Sequence, residues 1–252
     1  MKKLKSILQK RSGRARGTVV VRHQGGGEKQ FMRSVDFKRD KSDVWGVVSA
    51  IEYDPNRNAE LALLIYEDGE RRYILSPVGL KVGDKVISSD SAPVEKGNTL
   101  PLAAVPVGTE IHNIEITPGK GGQMVKGAGS VATVFGKEDN LPSGKAGWVL
   151  VKLPSGEIRR FSPKSLATIG QIGQVEWKNR VWRKAGTIRH KGIRPSVRGV
   201  AMNPDSHPHG GGEGRSGVGM KSPKTVYGRI AVGKTRNKKK YSNRMIMKKR
   251  HE

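Results

Sequence analysis

Apolar positions recur in short runs between turn residues through the middle of the chain and thin out towards both ends. Val44–Tyr53 (VWGVVSAIEY) is followed by the turn formers Asp54–Asn58 and then by Leu61–Tyr66 (LALLIY). Glu67-Asp68-Gly69-Glu70 predicts a tight hairpin into Arg71–Leu75, since Asp-Gly readily supplies a positive φ. Ser76-Pro77 breaks the pattern, and Val82–Ile87 reads as a turn and a short strand. A second set begins near Val105. Thr109–Ile116 alternates apolar Ile111 with Ile114 and Ile116, Asn113 aside, and Ser130–Phe135 is β-branched. Trp148–Leu153 and Glu157–Phe161 flank the hairpin signal Leu153-Pro154-Ser155-Gly156. Short strands with turn signals at this spacing favour small barrels over a parallel sheet. Pro101 and Pro106 mark the boundary between the two sets, and Glu138–Gly147 reads as an exposed loop. From Lys178 onward the periodicity fails, leaving only Glu176–Ala185 as a short helix. Most of that tail is expected to be disordered in bulk water.

The fold class expected is therefore all-β, two small barrels with long basic extended tails. The division is a basic arm over 1–33, one barrel over 34–104, a second over 105–177 and a tail over 178–252. The core must come almost entirely from 34–177, enough for two barrels of roughly 70 residues each.

Charge sharpens this division. The formal net charge is +26 over 252 residues. Residues 1–33 contribute +9, residues 178–252 contribute +18, and the middle is nearly neutral at −1. Cationic extensions of this kind repel themselves in water and are relieved by a polyanion. The absence of Cys excludes disulfides and thiolate metal sites. The N-terminus starts like a secretory n-region but lacks its apolar segment. No run approaches the ~20 apolar residues of a membrane span, so a soluble protein of the cytoplasm or an organelle matrix is expected, without a membrane partner.

Three Gly-rich basic loops stand out: Arg22–Gln30, Pro118–Gln123 and Asn203–Arg215. Together they suggest backbone amides and Lys/Arg side chains placed on phosphates. His207 and His209, with Asp205 or Glu213, also have the residue types of a metal site, and His207 has the pKa of a general acid or base. No partner nucleophile accompanies them, so a non-enzymatic protein is expected. Gly228–Thr235 satisfies the string G-x-x-x-x-G-K-[ST], but a cationic run follows where a phosphate-binding loop needs a helix. Aromatic residues for base stacking are few, with Trp177, Trp182 and Tyr241 as the tail candidates. Contact should be dominated by phosphate, sugar and shape.

These strings, with Val35–Arg39, Ile51–Arg57, Asp68–Leu75, Gly97–Pro101 and Arg194–Gly199, resemble the universal large-subunit ribosomal protein number two family, bacterial type, over nearly the whole chain. The resemblance implies an oligonucleotide-binding-type barrel followed by an SH3-like barrel, with tails in ribosomal RNA. It implies direct binding to large-subunit ribosomal RNA, subunit association, proximity to the peptidyl-transfer centre, and neighbouring ribosomal proteins and the small subunit as partners. No homo-oligomer is expected, and Mg²⁺ only as bound through RNA. The family's discussed histidine falls on His207, in a supporting role. The family usually has a longer N-terminal extension, and here Asp205-Ser206 stands where Val-Asp is usual. Glu138–Lys145 resembles an insertion. Residues expected at RNA are Arg14, Arg16, Arg22, His23, Gly25, Gly26, Gly27 and Lys29 in the arm, and Lys38, Arg39 and Lys120 in the middle. In the tail they are Arg194, Arg198, Asn203, His207, His209, Gly210, Gly211, Gly212, Arg215, Lys234, Arg236, Lys238, Lys239 and Lys240. An extraribosomal nucleic-acid chaperone or DNA-binding protein is the alternative, and a metal-dependent hydrolase built on His207 and His209 a third reading.

Overall fold

The run LALLIY is apolar at every position because the strand it forms is covered on both faces, a pattern that replaces simple alternation wherever neither face meets water. Leu61 packs with Ala59, Tyr73, Leu75 and Ile172 on one side, while Ala62 and Leu64 join Val48, Tyr66, Ile74, Leu80 and Val86 on the other. The computed structural model of the chain describes residues 4–9, 12–138, 147–233, 236–237 and 239–250. It divides into two units. The first comprises Met1–Leu8, Lys29–Val181 and Arg244–Glu252, and the second Gln9–Glu28 and Trp182–Asn243.

The first unit is nearly all β and contains two curled antiparallel sheets. One orders its strands Arg71–Leu75, Leu61–Tyr66, Gly46–Glu52 and Lys85–Val86. The Asp68-Gly69 turn forms as expected: Gly69 has φ +78° and donates its N–H to Tyr66 O at 2.8 Å. The other sheet runs Ile246–Lys248, Ile158–Phe161, Val149–Lys152, Ala132–Lys137, Glu110–His112, Leu166–Ile169, Thr99–Pro101. Its core takes Ile111, Ile114, Val134, Val151, Phe161 and Ile169, with Leu100, Leu102, Ile87 and Ala92. A third, two-stranded sheet pairs Lys5–Ile7 with Phe31–Arg33.

Several elements depart from the sequence reading. Thr99–Pro101 pairs with Leu166–Ile169, so residues preceding the Pro101–Pro106 segment belong to the second sheet. Pro101 sits on the sheet's outermost strand, where a missing N–H is tolerated. Ile246–Lys248, assigned to a disordered tail, closes the opposite edge of that sheet against Ile158 and Arg159. In place of one helix over Glu176–Ala185 there are two short turns, a 3-10 helix at Val175–Asn179 and an α-helix at Ala185–His190. Arg180 and Lys184 are extended between them, and no side chain caps either start. Of the Glu138–Lys145 insertion only Glu138 lies within the described residues. It pairs with Arg160 at 2.8 Å.

Among the described residues, every buried hydrophobic side chain lies between Val48 and Ile172 in the first unit. In the second unit the only buried residue described is Ser242. Full burial of a Leu or Ile contributes about 1.5–3 kcal/mol, and none is found among the described residues of the second unit.

Candidate nucleic-acid interface

The second unit concentrates charge. Its sequence carries twenty Lys or Arg against Glu28, Asp205 and Glu213, a net of +17. Within it the first Gly-rich loop finds a partner distant in sequence. Gln24 forms an antiparallel bridge with Ile193, Gly25 N–H donates to Gly192 O at 2.9 Å, and Glu28 N–H donates to His190 O at 2.8 Å. Arg194 N–H donates to His23 O at 3.1 Å, and His23 Nδ1 lies 3.0 Å from Pro195 O. His190 Nδ1 also lies 2.9 Å from Glu28 Oε1. A Cβ on Gly27 would fall 2.9 Å from Gly192 Cα, so the two backbones approach closely here. The ladder holds arm and tail together and leaves Arg14, Arg16, Arg22, Gly26, Arg194 and Arg198 exposed.

The loop Asn203–Arg215 is tied to itself. Gly210 N–H donates to His207 O at 2.8 Å and Gly211 N–H to Met202 O at 3.1 Å. Gly211 has φ +86°, and a Cβ there would sit 2.8 Å from Pro204 Cγ, while one on Gly210 would run into Asn203 O. The space at these glycines is filled by the chain, which supplies a reason for glycine that needs no close approach of RNA backbone. His207 lies against Gly199, where a Cβ would be 2.5 Å from the ring, and its Nδ1 accepts the His209 N–H at 3.0 Å. His209 Nε2 accepts the Lys224 N–H at 2.9 Å, and the two rings are 4.7 Å apart. Each ring thus spends one nitrogen lone pair on a backbone N–H. Desolvation, then the neighbouring His209 and Arg22, pushes the His207 pKa below its usual value, favouring the neutral ring that can accept. Among the described residues no group of three or more His, Asp or Glu is placed to hold a metal. Asn203, Gly212, Arg215, Arg236, Lys239 and Lys240 are exposed, while Lys234 and Lys238 lie outside the described residues.

In the first unit the loop Pro118–Gln123 is organised by a buried carboxylate. Glu115, 1% exposed, accepts N–H donors from Gly119 at 3.2 Å, Gly121 at 2.8 Å and Leu166 at 3.1 Å. Gly122 N–H donates to Phe37 O at 2.8 Å. The amides of Gly25, Gly119, Gly121, Gly122, Gly210 and Gly211 are therefore engaged inside the protein, where the expectation had loop amides facing phosphate. What the loops present outward is cations, here Lys120 and the nearby Lys38, both exposed.

Arg39, expected among the RNA contacts, is 3% exposed and corrects that expectation. Its Nε donates to Thr99 Oγ1 at 3.1 Å and its Nη2 to Gly97 O at 3.4 Å, tying the segment before the first sheet to the edge strand of the second. Its Nη1 is buried with no hydrogen-bond partner among the described residues, and a guanidinium enclosed to this degree is out of reach of a polymer outside. The sequence reading passed over two other cations. Lys126 Nζ sits 4.2 Å from the centroid of Phe37, and the Arg57 guanidinium sits 5.7 Å from the same centroid. Arg57 is held by the buried Asp54 at 2.5 Å. Burial, then the charge of Arg57, pushes the Lys126 pKa down, and no carboxylate pairs with Lys126 among the described residues. Its position just beyond a Gly-rich loop was the available signal, but the convergence of residues 37, 57 and 126 is tertiary.

Two family models match the chain. Residues 1–88 match Ribosomal Proteins L2, RNA binding N-terminal domain, and residues 95–228 match Ribosomal Proteins L2, C-terminal domain.

Proposed function

Because this chain belongs to the ribosomal protein L2 family and is a structural, rRNA-binding protein of the large ribosomal subunit, we propose that its second unit is the principal RNA contact and folds stably only against RNA. The observation that carries this is the combination of a +17 charge with no buried hydrophobic side chain among its described residues. Such a unit lacks the apolar burial that offsets chain entropy, and phosphate supplies both neutralisation and ordering. Arg14, Arg16, Arg22, Lys29, Arg194, Arg198, Arg215, Arg236, Lys239 and Lys240 contact phosphate and sugar, with Lys234 and Lys238 in the same cationic stretch. In the first unit, Lys38 and Lys120 are joined by Arg57 and Lys126, held beside one another without a neutralising acid for Lys126. Phosphate relieves that repulsion.

His23, His207 and His209 position loops through hydrogen bonds, as do Gly25, Gly210 and Gly211, while Gly27 does so by close backbone approach. His207 supports the region of the peptidyl-transfer centre by position, and the protein is not itself an enzyme. The bound form neighbours other ribosomal proteins and the small subunit, acts as a single copy, and meets Mg²⁺ only through RNA. The ribosome concerned is that of a bacterial cytoplasm or an organelle matrix.

The test is binding of the full chain to transcribed large-subunit rRNA across salt concentrations. With roughly 8–10 phosphates neutralised, affinity should fall by several decades between about 50 and 200 mM salt. In cell extracts the protein should sediment stoichiometrically with large subunits after a high-salt wash. Nearly salt-independent binding, or a mainly free or DNA-bound protein, would sink the reading and favour a chaperone.

A further inference from the structure

Residues Pro223–Ala231 form a small hairpin in the second unit that the basic-cluster reading did not use. Lys224 bridges Ile230 in antiparallel register, Thr225 N–H donates to Arg229 O at 2.7 Å, and Ala231 N–H donates to Pro223 O at 2.9 Å. The turn closes with Gly228 N–H on Thr225 O at 2.9 Å, and Gly228 takes φ +74°, the left-handed residue a three-residue hairpin loop requires. The root is anchored, since Lys224 N–H donates to His209 Nε2 at 2.9 Å. At the tip stands Tyr227, 81% exposed, the most exposed large hydrophobic side chain among the described residues. No hydrogen bond or ring contact engages it there. A closed hairpin tied to a histidine pair thus presents one aromatic ring to the outside.

We propose that Tyr227 is a base-stacking contact of this protein with large-subunit rRNA. The inference rests on the RNA-binding reading above and adds to it a contact that is not electrostatic. Charge selects the occupant: no Asp or Glu occurs between Glu213 and Glu252, and Arg215, Lys221, Lys224 and Arg229 flank the tip in sequence. An RNA strand drawn to such a stretch brings unstacked bases to an aromatic face, and every base has a π-face to offer. Once the unit is ordered against RNA, the hairpin fixes where the ring stands, so stacking adds to a contact that charge has already brought into place.

Full-length protein is titrated with transcribed large-subunit rRNA at several salt concentrations. Tyr227→Ala should weaken binding roughly 5- to 100-fold while leaving the slope of log affinity against log salt unchanged, because no phosphate contact is lost. Tyr227→Phe and Tyr227→Trp should restore affinity, and Tyr227→Leu, of similar bulk but without a π-face, should not. Circular dichroism of each variant must match the wild type, and the Phe and Trp variants serve as folded controls should Ala differ. Equal binding by Tyr227→Ala would overturn the proposal and direct the ring to a protein neighbour. Rescue by Leu would overturn it too, in favour of apolar packing, and a shallower salt slope would show that Tyr227→Ala had displaced cations instead. Wild-type protein that failed to bind rRNA would defeat the underlying reading, an outcome distinct from these.

Discussion

His112 and Arg39 line one small cavity with Asp36, Ile74, Leu75, Asn113 and Thr168, and the placement of His112 there contributes to the pH response of the first unit. His112 is 1% exposed, and its Nδ1 lies 2.7 Å from Gly170 O, so the neutral ring donates there. Burial pushes its pKa down from 6.5 to about 4, outweighing the raising effect of the Gly170 carbonyl, and the charge of Arg39 adds a lesser push downward. The unfolded chain binds this proton more readily than the native one. Stability from this group is therefore fully present above pH 6.5 and is lost as pH falls towards 4. Unfolding of the full chain in urea should show a loss of about 2 kcal/mol between pH 7 and pH 5 from this residue. His112→Gln should flatten that part of the profile, and an unchanged profile would remove the assignment. In sequence, His112 and Asn113 interrupt an alternating run and look like surface residues. They are buried because Asn113 lies under the Gly122 backbone and His112 under Gly170, partners supplied by other elements.

Hairpins were the legible elements. Leu61–Tyr66 and Arg71–Leu75 occur at the bounds their residues suggest, since a short turn and local pairing specify both. Strands paired across long separations were not legible: Thr99–Pro101, Leu166–Ile169 and Ile246–Lys248 carry too few residues to show a period. The ladder between Gln24–Glu28 and His190–Arg194 is the extreme case, because neither segment has an apolar face. Backbone hydrogen bonds, the close approach of Gly27 to Gly192, and the His23–Pro195 and His190–Glu28 contacts support it. Gly27→Val should push the two segments apart, with an overpacking cost of about 1–3 kcal/mol. Affinity for large-subunit rRNA should then drop more than for Arg14→Ala, which removes one exposed cation among many. Equal effects of the two variants in filter binding would show that the ladder does not organise the RNA-bound state.

At the scale of the whole molecule, apolar burial lies in the first unit while the second carries +17 of the +26 net charge. Limited proteolysis without RNA should cut within residues 182–243 well before 46–169, because local opening costs least where few apolar contacts are broken. Added rRNA should slow the first cleavage at least tenfold by mass action on the ordered form. A tail as resistant as the sheets in the absence of RNA would contradict this account. The sequence by itself determined the all-β class, the location of the core, the concentration of charge at both ends and the family, because composition, turn chemistry and ordered motifs are local properties of the chain. Only the tertiary structure decided that Arg39 is buried and that Arg57 and Lys126 share the ring of Phe37. It also decided that Gly27 and Gly210 answer to the protein's own backbone, and that an arm and a tail far apart in sequence form one ladder. Each of these depends on which distant atoms fill the space beside a residue, and no local pattern encodes that.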